Sequence, residues 1–373
     1  MKPFSATWPQ VHSFRLARHR LSKRASPRDL VRVAGEVGGL QAQVTSFAAS
    51  ALRARVEGLS AADVAHALWT DRSLVRLWCM RGTAHIVPAR EVRLYACAVG
   101  RSAFARNARW LARYRVTTAE MEQILDVVVD TLGDNALTRK ELGERAEPRL
   151  APKARTWVAL TWGGVLQVAS FRGLLCFGPS RGAETTFVRT EVWVPKAARF
   201  EEEEAQDELV RRYLSAFGPA TAADFAKWSG MASGEARSAF ARLERETTQV
   251  DVEGASMAIL SRDRAKLTAR GPGPVVRLLD CFDGYLLAHR DKAHLVDEEH
   301  YKSVYRSAGW IAPVVLVDGR VAGTWEREKG ESIRLNPLSP WSKAVSDAVA
   351  HEVADVKRFH SATLSESEDA QQV

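Results

Sequence analysis

Gln41 and Gln43, separated by a single alanine, are the residues of this chain whose type and spacing best suit chemistry. Neutral amides can hold a water molecule and stabilise developing charge, but an amide oxygen is too weak a base to abstract a proton strongly. Their geometry depends on the local backbone. In a continuous helix the two side chains point ~160° apart, flanking opposite edges of an apolar face. If Gly38-Gly39 interrupts the helix and Leu40–Gln43 runs extended, Leu40 and Ala42 turn inward and both glutamines project from one side. Thr45 then serves as the cap of a helix over Ser46–Val56. The plainer reading, ordinary surface or backbone-capping glutamines, stays open on spacing alone.

Other catalytic patterns are absent. The chain has no phosphate-binding glycine loop, no H-E-x-x-H and no G-x-S-x-G. The nine histidines are dispersed, with only His289 and His294 in one short window. The four cysteines, Cys79, Cys97, Cys176 and Cys281, form no close pair. Neither a metal site nor a disulfide scaffold is expected, and no cofactor is called for. No apolar run reaches the roughly 18–20 residues of a membrane span, and the N-terminus lacks a signal-peptide core. These readings point to the cytoplasm.

A recurring pattern supplies the framework around the glutamines. Ser60-Ala-Ala-Asp63, Thr138-Arg-Lys-Glu141 and Thr221-Ala-Ala-Asp224 each place a hydroxyl three residues before an acid and an apolar pair. Such boxes open helices, since the hydroxyl caps a free N–H and the acid suits the positive helix end. Helical stretches precede them at Asp29–Glu36, Ala119–Leu132 and Glu203–Phe217. After the second box, Thr156–Ala169 reads as a helix, then Leu174–Phe177 and Thr185–Arg189 as strands. After the third, a helix spans Gly234–Arg245 and strands lie near Gln249–Val252 and Ser256–Leu260. After the first, Leu74–Met80 and Ala84–Val87 flank Arg81-Gly82-Thr83. Helix, capped helix, third helix and two-stranded wing is the winged-helix order, mostly a nucleic-acid binder.

The expected fold is therefore α+β and mainly helical: three tandem winged-helix modules, plus a C-terminal hairpin and helix. The boundaries fall at 1–115 with a basic N-terminal arm, 116–200, 201–270, 271–360, and a disordered tail over 361–373. Glu201–Glu204 marks one boundary and carries no chemistry.

Charge agrees with an anionic partner. The net charge of +8 is uneven: residues 1–120 hold 20 Lys/Arg against seven acids, and the remainder 33 against 38. Basic side chains displace counterions from a phosphate backbone, and guanidinium groups fork onto phosphates. Candidate DNA contacts are Arg81 and His85 at the first wing turn, Arg181 at the second wing tip, Arg290 and Lys292 after the Asp283-Gly284 turn, and Arg320 beside the Asp318-Gly319 hairpin turn.

From about residue 15 to residue 330 the chain resembles a family of bacterial winged-helix DNA glycosylases. The resemblance is carried by Gly39-Leu-Gln-Ala-Gln43, Ala51-Leu-Arg-Ala-Arg55, Arg81-Gly-Thr-Ala-His85-Ile-Val-Pro88, Leu278-Leu-Asp-Cys-Phe-Asp283, His289-Arg-Asp291, and Val315-Leu-Val-Asp-Gly319 with Gly323-Thr-Trp325. It implies that the three winged helices surround a DNA-binding concavity, and it implies excision of bulky N7-alkylated purines and unhooking of interstrand crosslinks. The family's motif is Gln-aliphatic-Gln, or Gln-aliphatic-Asp in another branch. It maps onto Gln41 and Gln43 as the catalytic pair, with Ala42 a small middle residue, and so implies the branch that protects producers of azinomycin-type agents. Double-stranded DNA bearing alkylated purines is the implied partner, and a monomer the expected state. A tandem winged-helix transcriptional regulator without catalysis is the competing expectation, and a protein-interaction scaffold the third.

Overall fold

The acid-free N-terminus folds back onto the body. In the structure, a computed structural model describing residues 4–113, 115–159, 164–267, 274–328 and 332–369, strand β1 (Phe4–Ala6) pairs in parallel with Val250–Val252. Helix α1 (Trp8–Arg18) buries Val11, Phe14 and Leu16. The expected basic arm is thus, over these residues, an edge of the third sheet rather than part of the first unit.

Helix α2 (Leu30–Glu36) ends at the glycine pair. Gly38 and Gly39 have φ of 74° and 82°, angles that an L side chain adopts only under strain. A Cβ on Gly38 would also lie 2.9 Å from the Trp228 ring, and one on Gly39 3.0 Å from Val87. The chain therefore leaves the helix and runs extended as β2 (Leu40–Gln41). Helix α3 (Thr45–Arg53) follows with Val44, not Thr45, at its N-cap and no side-chain cap. Then come α4 (Ala61–Ala65), opened by the Ser60–Asp63 box, and the hairpin of β3 (Leu74–Trp78) and β4 (Ala84–Pro88). The sheet order is β2-β4-β3.

The long α5 (Val92–Arg113) leads into a second set: α6 (Thr118–Leu132), β5 (Leu137–Thr138), α7 (Arg139–Ala146), α8 (Pro152–Ala159), α9 (Val165–Phe171), β6 (Leu175–Arg181) and β7 (Glu184–Arg189). Its sheet order is β5-β7-β6. The stretch Thr156–Ala169, expected as one helix, is divided between α8 and α9. Gly164 takes φ 82° before α9, and residues 160–163 lie outside the described ones.

After the one-turn α10 (Thr190–Trp193), a third set comprises α11 (Glu202–Phe217), α12 (Ala222–Ser229), α13 (Ser233–Arg242), β8 (Thr247–Val252) and β9 (Ala255–Leu260). A bridge from Ala220 to Ala258 stands in its first-strand place. The three boxes are not equivalent. Thr138 and Thr221 cap the helix immediately after the first strand, whereas Ser60 caps the helix one further on. In the first set Gln41 occupies the strand position that Thr138 holds in the second: Leu40–Gln41 pairs with β4 as Leu137–Thr138 pairs with β7.

The short α14 (Arg264–Leu267) precedes a C-terminal sheet of β10 (Val276–Leu279), β11 (Val314–Val317), β12 (Arg320–Arg327) and β13 (Ile333–Pro337) in that order. The short helices α15 (Gly284–Leu287) and α16 (Tyr301–Val304) lie between β10 and β11, and α17 (Lys343–Asp369) packs on β10. The tail expected to be disordered from residue 361 continues as helix to Asp369, and 370–373 lie outside the described residues.

One core cluster runs from β3 and α5 through α11–α13, so the first and third sets share an interior. The second set has its own around Met121, Leu125, Trp157 and Phe187. The fold is thus a mixed helix-and-sheet assembly.

Several arginines of the basic first third are structural. Arg55 forms a buried bidentate pair with Asp283 at 2.7 Å per contact. Arg53 donates to the Leu278 carbonyl at 2.6 Å and to Asp355 at 2.8 Å, and Arg15 to the Pro219 carbonyl at 2.8 Å. These charges fasten α3 and α1 to distant parts of the chain and do not face a partner.

Candidate active site

The alternation along Leu40–Gln43 is that of an extended segment. Leu40 and Ala42 are buried, Gln41 is half-buried and Gln43 exposed. Gln41 pairs with His85 across β2 and β4, and the Ala42 N–H donates to the Ala84 carbonyl at 2.7 Å. Both glutamines therefore leave the same face of the strand.

Arg76, from the far strand β3, holds this segment. Its Nε donates to the Ala42 carbonyl at 3.0 Å and its Nη2 to the Gln43 carbonyl at 3.2 Å. Its guanidinium also lies 4.3 Å from the Phe177 ring centre in the second set, a cation–π contact. Burial lowers the Arg76 pKa to about 10, which leaves it charged at neutral pH. The sequence reading missed this residue. Its signal was a lone charge inside the apolar run Leu74-Val-Arg-Leu-Trp78.

Among the described residues each glutamine oxygen has one orienting donor. The Ala84 N–H donates to Gln43 Oε1 at 3.2 Å. Arg81 Nη2 donates to Gln41 Oε1 at 2.9 Å and contacts His85 Nε2 at 3.1 Å, while Nη1 donates to the Trp228 carbonyl. His85 Nδ1 lies 3.0 Å from the Thr83 carbonyl. A carbonyl only accepts and a guanidinium only donates, so Nδ1 carries the proton and Nε2 accepts. Burial, then the neighbouring Arg81 charge, push the His85 pKa down to about 3. Burial likewise lowers Arg81 to about 10. The site therefore contains a neutral imidazole, a cation and two amides, and among the described residues no carboxylate contacts Arg81. Arg81 itself sits at φ 55° in the turn between β3 and β4.

The other sequence candidates lie elsewhere. Arg181, half-exposed at the end of β6, pairs with Glu141 at 2.6 Å. Arg290 is exposed; its backbone N–H donates to Asp224 at 2.8 Å. Lys292 is drawn inward: Nζ donates to the Leu286 carbonyl at 2.8 Å, and burial lowers its pKa to about 7. Arg320 binds Asp297 at 2.6 Å and the His294 carbonyl at 3.2 Å. Arg290 and Arg320, with Trp8, Asp224, His289 and His294, line a cleft of about 660 Å³. The structure brings Gln41, Arg81 and His85 together; among the described residues none of Arg181, Arg290, Lys292 or Arg320 hydrogen-bonds to them.

The AlkZ-like DNA glycosylase family model matches residues 34–359. The chain is 33% identical over 361 residues to an interstrand DNA cross-link repair glycosylase of Streptomyces sahachiroi, covering 95% of this chain and 96% of that one. The solved structure of the Streptomyces sahachiroi DNA glycosylase AlkZ superposes with a TM-score of 0.86 at 30% identity, covering 95% of this chain and 98% of that chain.

Proposed function

The chain belongs to the AlkZ-like DNA glycosylase family, and from that premise we propose that it hydrolyses the N-glycosidic bond of cationic N7-alkylated purines, leaving abasic sites. Bulky natural-product adducts and interstrand crosslinks are included, in keeping with the cross-link repair named for the Streptomyces sahachiroi relative. The biological role is DNA repair or self-resistance to an alkylating agent. The working form is a cytoplasmic monomer on duplex DNA; among the described residues no helix is long and apolar enough to cross a membrane.

The observation that carries this reading is the amide pair. Gln41 and Gln43 leave one face of an extended segment whose carbonyls Arg76 holds and whose side-chain oxygens Arg81 and Ala84 orient. N7-alkylation makes the purine a cationic leaving group. The C1′–N9 bond breaks with its electron pair going to the purine, water adds to the oxocarbenium-like sugar, and the added water loses a proton. Such a labile bond needs water held in place and charge stabilised rather than a strong base. We read the three helix–sheet sets as winged-helix modules around a DNA-binding concavity, the glutamines belonging to the first.

Incubation with duplex containing N7-methylguanine, followed by alkaline cleavage, tests the proposal. Strand breaks at the modified base are expected. Their absence on both methylated and bulky adducts would favour a DNA-binding regulator instead.

A further inference from the structure

Resting on the reading of Gln41 and Gln43 as the reactive pair, we infer that Arg81 is a positioning residue that makes the two amides chemically different: Gln41 works through its amide nitrogen as a donor, and Gln43 through its oxygen as the acceptor for water. A guanidinium N–H can only donate, so the atom of Gln41 that lies 2.9 Å from Arg81 Nη2 is the oxygen. A backbone N–H can only donate, so the atom of Gln43 that lies 3.2 Å from Ala84 N is also the oxygen.

The two donors differ in charge. Arg81 is a cation whose contacts among the described residues are the Gln41 oxygen, the His85 imidazole and the Trp228 carbonyl, all neutral. Its charge withdraws electron density from the Gln41 amide, weakening the oxygen's remaining lone pair as an acceptor and strengthening the N–H groups as donors. Ala84 is a neutral donor, and the Gln43 oxygen retains a second lone pair of ordinary strength. Neither amide nitrogen has a hydrogen-bond partner among the described residues, so the donor end of Gln41 is available.

Arg81 cannot easily turn away. Both Nη2 protons are engaged, by Gln41 and by the Nε2 lone pair of His85, whose tautomer the Thr83 carbonyl fixes. Nη1 is anchored on α12 of the third set through Trp228. The Gly38 backbone packs against the ring of that same Trp228, 2.9 Å from where a Cβ would stand. One tryptophan thus fixes both the start of the glutamine segment and the arginine that orients it. In the second set, Thr138 at the matching strand position turns its side chain to the Glu141 N–H as a helix cap. Gln41 has no such duty, because α3 begins four residues later at Thr45.

The test uses the full chain and single-turnover excision of N7-methylguanine. Gln43→Glu, which keeps an acceptor oxygen, is expected to recover about tenfold or more of the excision that Gln43→Ala loses. Gln41→Glu, which puts an acceptor where the donor stood, is expected to fall by roughly 10²-fold, the scale of a lost positioning group. Arg81→Met is expected to slow excision similarly with duplex affinity and its salt slope unchanged, and to add nothing in a Gln41→Ala background, because it acts through Gln41. Should Arg81→Met fail to fold, His85→Leu, which frees one Nη2 proton of Arg81, is read in the same way. An active Gln41→Glu enzyme would overturn the inference. So would Arg81→Met and Gln41→Ala effects that add, or weaker DNA binding with a shallower salt slope, which would mark Arg81 as a phosphate contact. Full activity of both Gln41→Ala and Gln43→Ala would instead overturn the underlying reading of the pair.

Discussion

Arg76 reaches across the β4 strand to the main chain of Gln43, its Nη2 3.2 Å from that carbonyl, while its Nε binds the carbonyl of Ala42 at 3.0 Å. One side chain thereby holds the extended backbone from which the two glutamine amides project. Arg76→Met is expected to cost about tenfold to 10²-fold in single-turnover excision, the range in which a small misplacement is felt, with duplex affinity retained. Wild-type rates in that variant would show that the segment holds its shape without the clamp.

Gln41→Ala and Gln43→Ala should each lower excision by roughly 10²-fold or more. The double variant should be barely worse than the worse single, because groups acting on one water behave as a unit. Melting temperatures should stay close to wild type, since neither side chain is in the core. Ala42→Asp is the contrasting case: Ala42 is 0% exposed, and a carboxylate there is buried without a partner, at a cost of several kcal/mol. Denaturant unfolding distinguishes the two outcomes.

Arg55 and Asp283 lie in a buried bidentate pair. Arg55→Ala leaves the carboxylate buried and uncompensated, so a loss of about 3–5 kcal/mol is expected. Replacing both by apolar residues of similar volume should restore much of it. Equal stability of the single and double variants would show that the pairing is not what matters there.

Acid should unfold the protein through its histidines. Burial holds His12 and His85 at pKa values of about 3, and His19 and His289 well below the ordinary imidazole range. In the unfolded chain these groups titrate near 6.5, so between about pH 6.5 and 3 the unfolded state binds more protons and stability falls as pH falls. Each contributes up to about 1.4 kcal/mol per pH unit inside that window. Above pH 7 this contribution is complete, and excision should show no titration from His85. The imidazole resonances of these residues should not move down to pH 5; a His85 titration near 6.5 would contradict the buried hydrogen-bond arrangement.

Duplex binding should be sequence-independent and should weaken steeply with salt. Exposed Arg290 is the clearest candidate contact, and Arg290→Glu should weaken binding alike on all sequences. A footprint at one defined sequence, or binding insensitive to salt, would contradict this expectation. Arg15, Arg53 and Arg55 are buried, so the salt slope should be smaller than the full basic count of the first third implies.

Much was legible in the sequence because the causes are local. The hydroxyl–acid boxes open helices at Ser60, Thr138 and Thr221, since a cap and its acid are three residues apart. The Gly38-Gly39 break follows from backbone permissiveness, and the alternation of Leu40 and Ala42 inward against the two glutamines follows from the period of a strand. The family was readable from short motifs. What the sequence could not determine is which partner each long side chain finds. Arg81 reads as a wing-tip cation, yet its guanidinium turns in to Gln41, His85 and the carbonyl of Trp228, 147 residues away. Arg53 and Arg55 read as part of a basic surface, yet they meet Leu278 and Asp283 more than 200 residues on. The N-terminal strand reads as a free arm, yet it pairs with Val250–Val252. A guanidinium's reach and a strand's edge leave the local pattern unchanged whatever they meet, so only the packing of distant segments decided these contacts.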